Sequence, residues 1–118
     1  MAVAGWAAVA GAALRDDTHL GQTYVLTGPE ALSYGQVAQR MTTSLGREVN
    51  YVPLADDAYQ GALVSAGLPP WYAKGLSELF QFYRAGKGAE VTDVVTRITG
   101  RAARTLDAYL TENRARFE

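Results

Sequence analysis

Apolar positions fall into short runs punctuated by glycine, proline and capping residues. Met1 to Leu14 is apolar, alanine-rich and uncharged, and it stops at Arg15, Asp16 and Asp17. This stretch predicts a buried amphipathic helix, to which Gly5 and Gly11 contribute unfavourably. Tyr24-Val25-Leu26-Thr27 is a short β-branched and apolar run closed by Gly28-Pro29. It predicts a short buried strand over 24–27 followed by a turn. Ser33 and Gln36 stand at capping-box spacing, and Leu32 and Val37 at the positions of a hydrophobic staple. Val37, Met41 and Leu45 then recur every four residues, so a helix with one buried stripe is expected, ended by Gly46 as a left-handed cap.

The second half follows the same logic. Val49 and Tyr51 alternate with Asn50 and Val52, which predicts a second strand over 48–54, with Pro53 at its edge or end. Asp56 or Asp57 caps the next helix, and Gly67 terminates it. Leu68-Pro69-Pro70 is a stiff connector into a helix from about Trp71 that is rich in aromatic residues and ends at Gly86 and Gly88. Thr92 or Asp93 starts a short helix through Val94, Val95 and Ile98, stopped by Gly100, and Thr105 caps the last one. The expectation is a mainly helical α/β fold of about six helices and two short strands. Two strands do not make a sheet readily on their own.

Composition narrows the function classes. The chain has 118 residues, a length that predicts a single domain over 1–118. Its 48% apolar content and net charge of -1 exclude a disordered tail. They also leave no broad attraction for nucleic acid or anionic lipid. Arg97, Arg101 and Arg104 read as a solvated helix face. With no cysteine and one histidine, thiolate chemistry and a multi-histidine metal site are out of reach. Fourteen opening apolar residues fall short of the roughly 20 that span a bilayer, and no basic residue precedes them as in a secretory signal. A cytoplasmic protein without membrane contact is the expectation.

Few residues carry chemistry. Tyr83 and Lys87 have the Tyr-x-x-x-Lys spacing of short-chain dehydrogenases, but Gly86 ends the helix between them. A phosphate loop is excluded because Gln81 and Gly88 stand where glycine and Ser or Thr are required. His19, the only imidazole, reads as a turn or surface residue, and Asp56-Asp57 as helix-start residues and not paired carboxylates. No catalytic, cofactor-binding or metal-ligating residue is assigned. Trp71, Tyr72, Phe80 and Tyr83 are the candidates for a substrate pocket or an interface, because their helix carries more apolar positions than one narrow stripe needs.

The run Tyr24 to Ser33 resembles part of the C-terminal half of the NmrA-like family, which belongs to the atypical short-chain dehydrogenases. Similar pieces follow in the family's order: Leu45-Gly46-Arg47 before Val49-Asn50-Tyr51-Val52, then Ala66 to Trp71, Val91-Thr92-Asp93 and Thr99-Gly100-Arg101. His19-Leu20-Gly21 and the Thr105 to Phe117 helix are also similar. The resemblance implies a parent with an N-terminal Rossmann part and a C-terminal lobe over the cofactor cleft, with the Trp71 helix near the substrate pocket. No G-x-G-x-x-G follows a strand in this chain, so it looks like the lobe without that Rossmann part.

Three functions follow as expectations. The first is a lobe that binds a small apolar ligand or a partner and has no dinucleotide site of its own. It would take NADP only if the N-terminal half is supplied, and as a homodimer or with a partner chain it would cover its apolar surface. The second is a fragment of a full-length NAD(P)-dependent oxidoreductase. The third is a cofactor-independent acid–base enzyme such as an isomerase, cyclase or dehydratase.

Overall fold

The computed structural model describes residues 1–118 and contains six α-helices and two 3-10 turns. In chain order the helices are α1 (Val3–Ala13), α2 (Tyr34–Leu45), α3 (Asp56–Ser65), α4 (Pro70–Arg84), α5 (Val94–Thr99) and α6 (Leu106–Glu112). The 3-10 turns are Asp17–His19 and Arg114–Arg116. The chain divides into two compact units. One comprises Met1–Asn50 and Glu90–Glu118, and the other Tyr51–Ala89.

In the first unit α1 packs on α5 and α2 packs on α6. Val9, Val94 and Val95 are buried in the first pair, Leu45 and Leu110 in the second. Gly5 faces α5: a β-carbon placed there would lie at ordinary contact distance, 3.8 Å, from both methyls of Val95, and would press only on the Met1 side chain, at 2.7 Å. The α2 start is a complete capping box. The Gln36 amide donates to Ser33 Oγ at 3.1 Å and the Ser33 amide donates to Gln36 Oε1 at 2.9 Å. Gly46 ends the helix with φ of 71°, the left-handed conformation that glycine adopts without steric cost.

Two sequence expectations change. The stretches 24–27 and 48–54 form no strand. The Val25 carbonyl and the Val49 amide and carbonyl are met by threonine hydroxyls and not by a ladder. The Thr92 amide donates to Thr27 Oγ1 at 2.9 Å, and the Thr92 hydroxyl donates to the Val25 carbonyl at 2.6 Å. Likewise the Val49 amide donates to Thr42 Oγ1 on α2 at 2.9 Å. A strand needs a neighbour that offers successive backbone groups, and neither stretch has one. The opening helix also departs from amphipathic character. Apolar residues surround its whole circumference, yet only Val9 is buried, while Val3, Trp6 and Leu14 are exposed. A helix apolar on every side is ordinarily enclosed by other elements.

Side-chain ties complete the first unit. Arg40 on α2 pairs with Glu30 through its two terminal guanidinium nitrogens and reaches Asp107 on α6 at 3.3 Å. Hydrogen bonding to Arg40 holds the Glu30 carboxyl below its ordinary pKa. The second unit is the α3–α4 pair joined by Gly67, whose φ is 97°. No helix of the chain is long and apolar enough to cross a membrane.

Candidate functional site

The α4 helix begins at Pro70, whose fixed φ and missing amide suit the first helical position. It ends just before Gly86, which turns the chain with φ of 78°. One stripe of α4 faces inward: Ala73 and Ser77 are fully buried, and Leu76 and Phe80 are half-buried. Phe80 meets Tyr59 of α3 edge to face, with ring centroids 5.5 Å apart. The small side chains at 73 and 77 let α3 approach closely. Ser77 Oγ is buried without a hydrogen-bond partner.

Apolar residues continue well beyond that stripe. Tyr72, Leu79 and Tyr83 follow i, i+7, i+11 spacing, and Trp71 and Phe82 extend the same side. All five are exposed, Trp71 by 75%. Two aromatic groups result. Trp71 and Tyr72 meet edge to face at 5.6 Å at the start of the helix. Toward its end, Tyr83 contacts Phe80 at 6.2 Å and Phe82 at 5.9 Å. The four candidate residues therefore separate. Phe80 belongs to the contact with α3, Trp71 and Tyr72 stand together, and Tyr83 links the packed ring of Phe80 to the exposed ring of Phe82.

Phe82 and Lys87 were not among the sequence candidates. The chain reverses at Gly86, the Lys87 amide donates to the Phe82 carbonyl at 3.4 Å, and Lys87 Nζ stands 5.6 Å from the Phe82 ring centroid. Gly88 lies against Tyr83: a β-carbon there would sit 2.6 Å from Tyr83 Cδ1. Glycine at 88 is favoured for space and not for its backbone angle. The Tyr83–Lys87 spacing thus places the lysine past the helix end and over a ring, unlike a same-face tyrosine–lysine pair.

The acidic candidates have structural partners. Asp56 is the first residue of α3 and not its cap, a position taken by Ala55. Its carboxylate accepts from Arg84 and, at 2.7 Å, from Gln81 Nε2, so it joins the start of α3 to the end of α4. These bonds, Arg84 first, hold the Asp56 carboxyl below its ordinary value. Asp57 accepts from the Ala58 amide at 2.8 Å. In the other unit, His19 Nδ1 lies 3.0 Å from the Tyr24 hydroxyl. Asp16 accepts from the hydroxyl and amide of Thr18, which lower its pKa. No group of three or more His, Cys, Asp or Glu gathers where it could hold a metal ion.

A dinucleotide pyrophosphate is commonly held by free amides at a helix start. Here the α2 start is occupied by its own capping box, α3 opens with two carboxylates, and α4 opens with proline. These three termini do not fit a pyrophosphate cradle.

No family model matches the chain. Among its relatives, it is 36% identical over 111 residues to an NAD(P)H azoreductase of Xenophilus azovorans, covering 94% of this chain and 39% of that protein. It is also 36% identical over 97 residues to an uncharacterised oxidoreductase of Bacillus subtilis, covering 82% and 34%. Among solved structures, an NADPH-dependent quinone oxidoreductase of Escherichia coli in complex with NADPH superposes with a TM-score of 0.82 at 27% identity, over 95% of this chain and 39% of that one. The chain therefore spans about two-fifths or less of the proteins it matches. Its six-helix arrangement matches their C-terminal lobe, as the resemblance implied.

Proposed function

We propose that this chain is the substrate-side lobe of an NAD(P)H-dependent reductase of the NmrA-like kind. In this reading the dinucleotide is bound by a part of the enzyme other than these residues, and the exposed aromatic side of α4 meets the acceptor. The single observation that carries the reading is the aromatic surface of Tyr72, Phe82 and Tyr83 on the lobe shared with the quinone oxidoreductase. The similarity to an azoreductase and a quinone reductase supports a planar, conjugated acceptor. Aromatic side chains suit such a ligand, because they offer a large apolar face and a polar tip. The exposed sides of α1 supply a surface for the rest of the enzyme or for a second copy.

The test is NADPH oxidation in the presence of menadione, followed by nicotinamide absorbance. It is run on this chain and on any longer product of its reading frame. Turnover, with a raised KM in F82A and Y83A, supports the reading. Turnover that both substitutions leave unchanged removes α4 from the acceptor site.

A further inference from the structure

We propose that Lys87 makes the aromatic end of α4 selective for planar ligands that carry an anionic substituent. This rests on the reading of α4 as the acceptor surface and names the substrate class that surface takes. Lys87 differs from the other cations of its unit. Arg84 is paired with Asp56, and Lys74 lies 4.0 Å from Glu78. Lys87 has no acidic partner; it is held over the ring of Phe82 by the chain reversal at Gly86. A cation on a ring face is attracted by the ring's quadrupole but keeps its ammonium donors for another acceptor.

The loop geometry adds to this. Because Gly88 lies against Tyr83 without a side chain, the 86–88 loop folds back beside the rings and does not project from the helix end. An exposed apolar surface and an unpaired positive charge therefore adjoin each other at Phe82 and Tyr83. A neutral ring uses only the apolar part. A ring bearing a sulfonate, carboxylate or phosphate uses both, with its charge at Lys87. A simple inorganic anion lacks the stacking contact.

The experiment is a backbone-amide NMR titration of the chain with naphthalene-2-sulfonate and with uncharged 2-naphthalenemethanol. The expected result is tighter binding of the sulfonate by about two- to fivefold, the range of an exposed charge pair. The shifts should centre on Phe82 to Gly88. Lys87→Met should abolish that preference and leave 2-naphthalenemethanol binding unchanged. Lys74→Met, with the same charge change, should preserve the preference. An unchanged preference in K87M overturns the proposal while leaving α4 as an aromatic site. Equal shifts from sodium sulfate overturn the aromatic requirement. Shifts at 82–88 that track protein concentration instead of ligand assign the surface to a second copy. Absence of any α4 response to either naphthalene removes the acceptor-surface reading as well.

Discussion

Ser77→Ala should stabilise the protein by removing one buried, unpaired oxygen. Ser77 is fully buried on the inward stripe of α4, and its Oγ has no hydrogen-bond partner. In the unfolded chain that hydroxyl is hydrated. Burying it unpaired costs about 1–3 kcal/mol. Removing it recovers that cost and adds roughly 0.5 kcal/mol of helix propensity. Against this stands the small void left by one atom, so the net gain is about 1 kcal/mol. For a chain of this size that raises Tm by roughly 4 °C. Ser77→Val separates the effects. It also removes the hydroxyl, but it inserts extra methyl volume where α3 and α4 approach, and overpacking costs about 1–3 kcal/mol. Urea unfolding followed by circular dichroism should therefore move the midpoint up for S77A and down for S77V. A midpoint lowered by S77A would show instead that the oxygen is paired in the folded protein.

Three further outcomes follow from the same geometry. Asp56 is held below its ordinary pKa of 3.8 by Arg84 and Gln81, so its contribution is complete above that value and is lost as pH falls through the lower folded pKa. Urea titrations at neutral pH and at about pH 3 should show a smaller acid-induced loss for D56N than for the parent chain. Thr92→Val removes the hydroxyl that donates to the Val25 carbonyl and should cost about 1 kcal/mol. Thr27→Val should cost more, because it strands the Thr92 amide, and an equal loss in both would contradict that ordering. Gly88→Ala forces the Tyr83 ring or the loop to shift and should cost about 1 kcal/mol. Its signature is a change in Tyr83 and Phe82 ring resonances without loss of the α3 contact at Phe80.

Local chemistry was legible wherever it is decided within one turn of chain. The Ser33–Gln36 box, the Thr105 cap and the left-handed ends at Gly46, Gly67 and Gly100 all stand where their residue types place them. The strands were not legible, because a β-branched run records a preference for extended backbone and says nothing about a neighbour to pair with. Asp56 shows the same limit. Its carboxylate satisfies a long-range partner, Arg84, 28 residues away, which no spacing rule anticipates. At the candidate site, the excess of apolar positions on α4 is readable. Which of them α3 covers is not, so the pattern alone groups Phe80 with Trp71, Tyr72 and Tyr83. Phe82 and Lys87 meet only because the chain reverses at Gly86.

Whether this lobe supplies an acceptor surface while the dinucleotide is held by other residues is decided by paired amide-NMR titrations of the chain, one with NADPH and one with menadione. The expected result is shifts concentrated on α4 with menadione and none that saturate with NADPH. Saturable NADPH binding at micromolar concentration would contradict it, and so would menadione shifts that spare α4.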